Sequence, residues 1–180
     1  MVIMKKKMLL CVFIIIITSC QFSISVSNEI GIKVVFYARK YANANTKYVW
    51  GGRDNLHTGV IEIDCSGLVV QCYRYAISDN IKYDLLFKDA NVKALFKHYV
   101  VFTDTPAEGD IMFMSEEDNN DIPTHIGIYI KTINNNIYFI DATQKEDKDG
   151  NVIIDGVSER FYNKYDKRFK CFAKMKLLKK

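Results

Sequence analysis

The apolar residues of this 180-residue chain change their spacing near its middle, which limits the folds open to it. In the first half, residues 31–44 and 66–77 carry apolar side chains at intervals of three and four, so both segments predict helices with a buried side. Residues 89–99 predict a short third helix. Apolar runs at 110–114, 126–130, 137–140, 152–154 and 169–177 then predict strands, the last with strict alternation.

Because the helices come first and the strands follow, the sequence predicts an α+β fold in which N-terminal helices pack on an antiparallel sheet of about five strands. The length suits one domain.

The N-terminus has the layout of a secretory signal. Lys5, Lys6 and Lys7 precede about ten apolar residues at 8–17, whereas a membrane span needs roughly twenty. We therefore expect residues 1–19 to be removed.

The signal ends in Thr18-Ser19-Cys20, which resembles the bacterial lipobox. The resemblance implies that Cys20 becomes the lipidated first residue, with 20–30 as a tether and 31–180 as the domain. Two or more acyl chains anchor a protein stably. Gln21 follows Cys20, whereas aspartate at this position retains lipoproteins in the inner membrane of some enteric bacteria. The resemblance to lipoproteins therefore favours the periplasmic face of the outer membrane. A plain secretory signal with a chance cysteine is the alternative.

The net charge argues against a nucleic-acid binder. The formal charge is +4, but without the three signal lysines 22 basic residues face 21 acidic ones. The remaining basic cluster is at the C-terminus: Lys164, Lys167, Arg168, Lys170, Lys174, Lys176, Lys179 and Lys180. We interpret it as a solvated strand face, with attraction to an anionic wall or membrane surface as the alternative.

Cys65 lies where the second predicted helix begins, within Asp64-Cys65-Ser66-Gly67. The unpaired N–H groups and the dipole of a helix start favour the thiolate and can hold an oxyanion. Cys72 is about 10 Å further along the same helix, too far for a disulfide with Cys65. A Cys72–Cys171 bridge is possible, although two free buried cysteines are favoured. No cysteine pair has zinc-site spacing, and we expect no metal or organic cofactor.

Four motifs occur in order: Tyr48-Val49-Trp50-Gly51-Gly52, Ile63-Asp64-Cys65-Ser66-Gly67-Leu68, Pro106-Ala107-Glu108-Gly109-Asp110 and Thr124-His125-Ile126-Gly127. Together they resemble the NlpC-type cell-wall peptidases, a papain-like group. The resemblance covers nearly all of the mature chain. It implies Cys65 as nucleophile, His125 as base and Tyr48 beside the thiol. Asp64 and Ser66 match residues that hold the amino-terminal part of the substrate in some members, although Asp64 could instead cap the helix.

The third catalytic position departs from the family, which usually has a second histidine there. Here the position carries Asp141. If 126–130 and 137–140 form a hairpin centred near 133 or 134, His125 faces residue 141 or 142, at a Cβ separation of about 5 Å. A carboxylate there could orient the imidazole; the alternative is an aspartate turned to solvent. We expect Trp50 to pack under the site, and His57 and His98 to be surface groups.

These features predict a monomeric, lipid-anchored cysteine peptidase of the cell envelope. The resemblance implies hydrolysis of a stem-peptide bond of peptidoglycan, between γ-D-glutamate and a diamino acid. Because a fold does not determine a substrate, a cysteine amidase or acyltransferase is an alternative. A non-catalytic wall-binding lipoprotein is another, suggested by the missing second histidine.

Overall fold

The computed structural model describes residues 22–23, 28–115 and 122–180. The helices are α1 (Asn28–Ala42), α2 (Cys65–Ile77) and α3 (Val92–Ala94), and a π-helical turn, Leu95–Tyr99, follows α3. The strands are β1 (Phe22–Ser23), β2 (Thr46–Tyr48), β3 (Ile61–Ile63), β4 (Tyr83–Leu85), β5 (Val100–Thr103), β6 (Ile111–Met114), β7 (His125–Ile133), β8 (Asn136–Glu146), β9 (Val152–Asn163), β10 (Phe169–Met175) and β11 (Leu177–Lys179). Cys20, the predicted lipidation site, lies outside the described residues.

The two long helices follow the apolar periodicity of the sequence. Helix α2 differs from the predicted segment by one residue, and α1 begins three residues earlier and ends two residues earlier than predicted. The predicted third helix is right only in part, because Asn91 caps a single α-helical turn that then widens into the π-helical turn. Within the part of the chain that the structure describes, no helix is long and apolar enough to cross a membrane.

The main sheet has six antiparallel strands in the order β5-β10-β6-β7-β8-β9. The sequence prediction omitted β5 and ended β9 nine residues too early. Two small sheets complete the fold, a parallel pair of β2 and β3 and a three-stranded sheet in the order β1-β11-β4. The fold is therefore α+β and papain-like, as predicted.

The six-stranded sheet carries apolar residues on both faces. Alternating residues of β7 and β8, among them Ile126, Ile128 and Ile140, belong to the main core with α1 and α2. The opposite face carries a smaller cluster that contains Met112, Met114, Tyr129, Ile137 and Phe139. Successive strand residues point to opposite faces, so His125 lies on the face of the smaller cluster.

The β7–β8 hairpin has a register that the sequence prediction missed. Asn134 and Asn135 both have positive φ, 47° and 65°, as a two-residue type I′ turn requires, so the turn lies later than predicted. A bulge between Tyr129 and Lys131 then shifts the pairing back by one residue. Ile128 pairs with Ile140, which puts residue 143 and not residue 141 or 142 opposite His125.

Candidate active site

Cys65 is the first residue of α2, and Asp64 immediately before it caps the helix. The Asp64 side chain accepts a hydrogen bond from the Gly67 amide, with 2.6 Å between Oδ1 and N. The thiol is thereby held at the positive end of the helix dipole, where unpaired amides favour negative charge. Cys65 is buried, with 4% of its surface exposed.

His125 is the first residue of β7 and lies between Cys65 and the carboxylate of Asp141. Its Nε2 donates to Asp141 Oδ2 at 2.6 Å, and the neighbouring Cys65 thiol acts with Asp141 to raise the pKa of the ring. Because Nε2 is engaged by Asp141, Nδ1 is the nitrogen left to exchange a proton with the thiol. The structure thus brings together the three residues that the sequence nominated for catalysis.

Asp141 reaches His125 diagonally across the hairpin. Continuing the register from Ile128 and Ile140 places Asp141 opposite Gly127, two residues from His125 on the same face. Since Gly127 has no side chain, nothing separates the carboxylate from the ring. Asp141 is fully buried and therefore not turned to solvent.

Arg160 on β9 is the counter-ion of Asp141, and sequence reasoning missed it. Its Nε donates to Asp141 Oδ1 at 2.9 Å, and its Nη2 donates to Oδ2. A buried carboxylate needs such compensation, because desolvation strongly disfavours an isolated charge. The sequence signal was weak, because Arg160 lies between Glu159 and Phe161 in the part of β9 that was not predicted to be strand.

The charges of the site shift two pKa values in opposite directions. Burial of the His125 imidazole acts to lower its pKa, but hydrogen bonds to Asp141 and Cys65 and their charges outweigh it, and the pKa rises to about 10. Burial acts to raise the pKa of Asp141, but the hydrogen bond from His125 and the charges of His125 and Arg160 hold it below its ordinary value. The imidazolium–carboxylate state is therefore favoured near neutral pH.

Asp64 and Ser66 form a second polar group with Arg53, which sequence reasoning also missed. Arg53 Nη1 lies 2.6 Å from Asp64 Oδ1, and Arg53 Nη2 donates to Ser66 Oγ at 3.0 Å. Ser66 in turn donates to Asp64 at 2.9 Å. Arg53 directly follows the Gly51-Gly52 motif, which is the signal that could have identified it.

Two pockets border Cys65 and His125 and share Trp50 in their walls. One, of about 360 Å³, borders Cys65 together with the Asp64–Ser66–Arg53 group, and the other borders His125 and Tyr48. Trp50 lines both and is 85% exposed, so the prediction that it packs under the site is wrong.

The remaining cysteines and histidines lie outside this constellation. Cys72 and Cys171 are free and do not form the possible bridge, and burial raises the pKa of both thiols. His57 and His98 are exposed, as predicted. Within residues 28–115 and 122–180, no three His, Cys, Asp or Glu side chains are grouped to hold a metal ion.

Comparisons with known proteins agree with the fold. The chain is similar to the structure of NlpC1 from Trichomonas vaginalis, with 19% identity and a TM-score of 0.53 over 87% of this chain and 47% of that one. It is also similar to a protein from Staphylococcus aureus described as similar to lipoprotein, NLP/P60 family, with 20% identity and a TM-score of 0.52 over 84% and 43% of the two chains.

A Bacillus cereus NlpC/P60 family protein matches with 13% identity and a TM-score of 0.50, over 80% of this chain and 39% of that one. The chain thus spans less than half the length of these structures, and no curated protein sequence matches it. The model of the NlpC/P60 family matches residues 45–170, which include Cys65, His125 and Asp141, and the chain therefore belongs to the NlpC/P60 family.

Proposed function

We propose that this protein is a cysteine peptidase that hydrolyses a stem-peptide bond of peptidoglycan, with Cys65, His125 and Asp141 as its catalytic triad. Membership of the NlpC/P60 family supports a cell-wall hydrolase in general terms. The observation that carries the finer proposal is the grouping of the Cys65 thiol, the His125 ring and the buried Asp141 carboxylate, in which His125 Nε2 donates to Asp141.

The reaction begins with the proton of Cys65 on His125. The thiolate attacks the carbonyl carbon of the scissile amide, and the resulting oxyanion is held by the amides of Cys65 and Ser66 at the start of α2. His125 then gives its proton to the leaving nitrogen, so the C–N bond breaks and a thioester remains. Finally, His125 takes a proton from water, which hydrolyses the thioester and releases the thiolate.

Asp141 keeps Nδ1 of His125 directed at the thiol and stabilises the imidazolium, as carboxylates do in other triads. Tyr48 and Trp50 form walls of the cleft beside His125, and in this proposal the Tyr48 hydroxyl polarises the bound carbonyl. The pocket that contains Asp64, Ser66 and Arg53 receives the amino-terminal part of the substrate. The scissile bond that we propose joins γ-D-glutamate to a diamino acid.

The test is cleavage of purified muropeptides, with products identified by mass spectrometry. Cys65→Ala removes the nucleophile, and we expect a loss of roughly 10⁴-fold or more in kcat. Cys72→Ala, two turns further along the same helix, is the matched control and should retain activity within a few fold. Equal cleavage by wild type and Cys65→Ala would end this proposal.

We further propose that the protein acts as a monomer attached to the cell envelope through lipid on Cys20. The lipobox-like sequence before Cys20 supports this anchor. An anchored enzyme would be held beside its polymeric substrate.

A further inference from the structure

A separate pocket borders His125 on the face of the sheet that carries Asp141, and it does not include Cys65. Its volume is about 220 Å³. Its polar wall consists of Ser115, Lys145, Arg160, Tyr162 and Arg168. Neither the triad mechanism nor the pocket beside Cys65 uses these groups, apart from the contact of Arg160 with Asp141.

This cationic pocket carries Lys145, Arg160 and Arg168 in its wall. Arg160 pairs with Asp141, and Arg168 pairs with Asp166 at 2.7 Å between Nη2 and Oδ2. Lys145 has no carboxylate within ion-pair distance among residues 28–115 and 122–180; its ammonium instead donates to Tyr162 Oη at 2.8 Å. The wall therefore presents several cationic donors, and a protonated His125 adds one further positive charge.

The hydroxyl group of Tyr162 has donors around it but no acceptor among the described residues. Tyr162 Oη is approached by Lys145 Nζ at 2.8 Å, Arg160 Nη1 at 3.2 Å and Arg168 Nη1 at 3.3 Å. All three neighbours are donors only, so none of them can accept the proton of the phenol.

The Ser115 hydroxyl also lacks a hydrogen-bond acceptor. Ser115 is 1% exposed, and its Oγ has no hydrogen-bond partner. Buried polar groups are normally satisfied, and an exception beside a functional residue calls for an explanation. An anion in the pocket would accept from both hydroxyls and from Lys145 at once.

We propose that this pocket binds a carboxylate of the leaving fragment of the substrate, an inference that rests on the proposed peptidase function. Since His125 protonates the leaving nitrogen, the leaving fragment lies on the His125 side of the scissile bond. The α-carboxylate of an amino acid is adjacent to that nitrogen and so comes close to the pocket.

The test compares L-alanyl-γ-D-glutamyl-L-lysine with its C-terminal carboxamide, which has the same scissile bond without the negative charge. We expect the wild type to prefer the acid in kcat/KM by about 10-fold or more, as a charge-assisted contact predicts. Lys145→Met should remove most of this preference, chiefly through KM. Lys148→Met removes an exposed lysine three residues away and should retain the preference.

Binding provides a second measurement that does not depend on cleavage. Calorimetric titration of the Cys65→Ala protein should show tighter binding of the acid than of the carboxamide, and adding Lys145→Met should abolish the difference. Melting temperatures of the lysine variants establish that both are folded. If wild type cleaves acid and carboxamide equally, the carboxylate pocket is wrong while the peptidase stands. If neither peptide is cleaved, the peptidase proposal fails for this bond. If the Cys65→Ala protein binds the acid and the carboxamide with equal affinity, or binds neither, the carboxylate pocket is wrong as well.

Discussion

His125 shares its carboxylate partner with an arginine, which distinguishes this site from one in which a second histidine holds the base. A neutral imidazole can be buried without a counter-ion, whereas the fully buried Asp141 carboxylate needs one. Arg160 supplies that charge from the neighbouring strand. Arg160 therefore compensates for the charge that an aspartate adds in place of the family's usual histidine.

Asp141→Asn should move the alkaline limb of the pH–activity profile toward neutral pH. Asp141 contributes to raising the His125 pKa from 6.5 to about 10, so its removal should lower the pH at which the imidazolium loses its proton. We expect kcat/KM at pH 9 to fall more than at pH 6. Asp84→Asn, which removes an exposed carboxylate paired with Lys180, is the control. An unshifted alkaline limb in Asp141→Asn would contradict this role.

The same pKa shift has a consequence for stability. Because the His125 pKa is raised in the folded state, its pairing contributes fully to the free energy of unfolding below about pH 6.5. That contribution is lost as the pH rises through about 10.

At the scale of elements, the hairpin of β7 and β8 positions the base and its partner. The hairpin predicted from the sequence identified Asp141 as the partner of His125 but placed the two residues directly opposite each other, whereas the contact is diagonal. Turn position and bulge are not visible in the apolar pattern, because neither changes the alternation of the flanking residues. Alternation also could not reveal Arg160, since an arginine next to Glu159 is equally typical of a solvated strand face.

The packing of α1 depends on a glycine contact. A Cβ at Gly31 would overlap the backbone carbonyl oxygen of Glu108, and Gly109 lies against Gly31 with a φ of 88°. Alanine ordinarily stabilises a helix interior by about 0.5–1 kcal/mol relative to glycine, yet here the helix would have to move away from the segment before β6. This close approach is therefore needed for α1 to reach the core.

We expect Gly31→Ala to lower the free energy of unfolding by about 2 kcal/mol or more, despite its better helix propensity. Urea denaturation followed by circular dichroism would measure the change. Ile32→Ala, at a neighbouring position that is 51% exposed, should have a much smaller effect. A Gly31→Ala protein as stable as wild type would show that α1 does not pack as described.

At the scale of the whole molecule, the basic C-terminal stretch is partly engaged in internal contacts. Lys174 pairs with the buried Asp110 at 2.6 Å, and Lys180 lies 3.6 Å from Asp84. Part of the cluster therefore belongs to the fold. Attachment to a membrane would then depend on the lipid more than on these charges.

Cys20→Ser should move the protein from the membrane fraction to the soluble fraction of expressing bacteria, because it removes the thiol that would carry the lipid. Cell fractionation and detergent phase partitioning would measure this. Cys11→Ser, within the apolar run of the same signal, is the matched control and should leave the protein with the membranes. Retention of Cys20→Ser in the membrane fraction would contradict lipid anchoring at that residue.

The order of helical and alternating apolar patterns was sufficient to determine the α+β class from sequence alone, and Cys65 at a helix start and His125 at a strand start were sufficient to nominate the two residues that the structure brings together. These features are local, and local periodicity reports which side of an element is buried. Only the tertiary structure decided the diagonal contact of Asp141, the counter-ion Arg160, the engagement of Asp64 by Arg53 and the exposure of Trp50. Each of these depends on register or on residues distant in sequence, and such relations arise only when the strands and helices pack together.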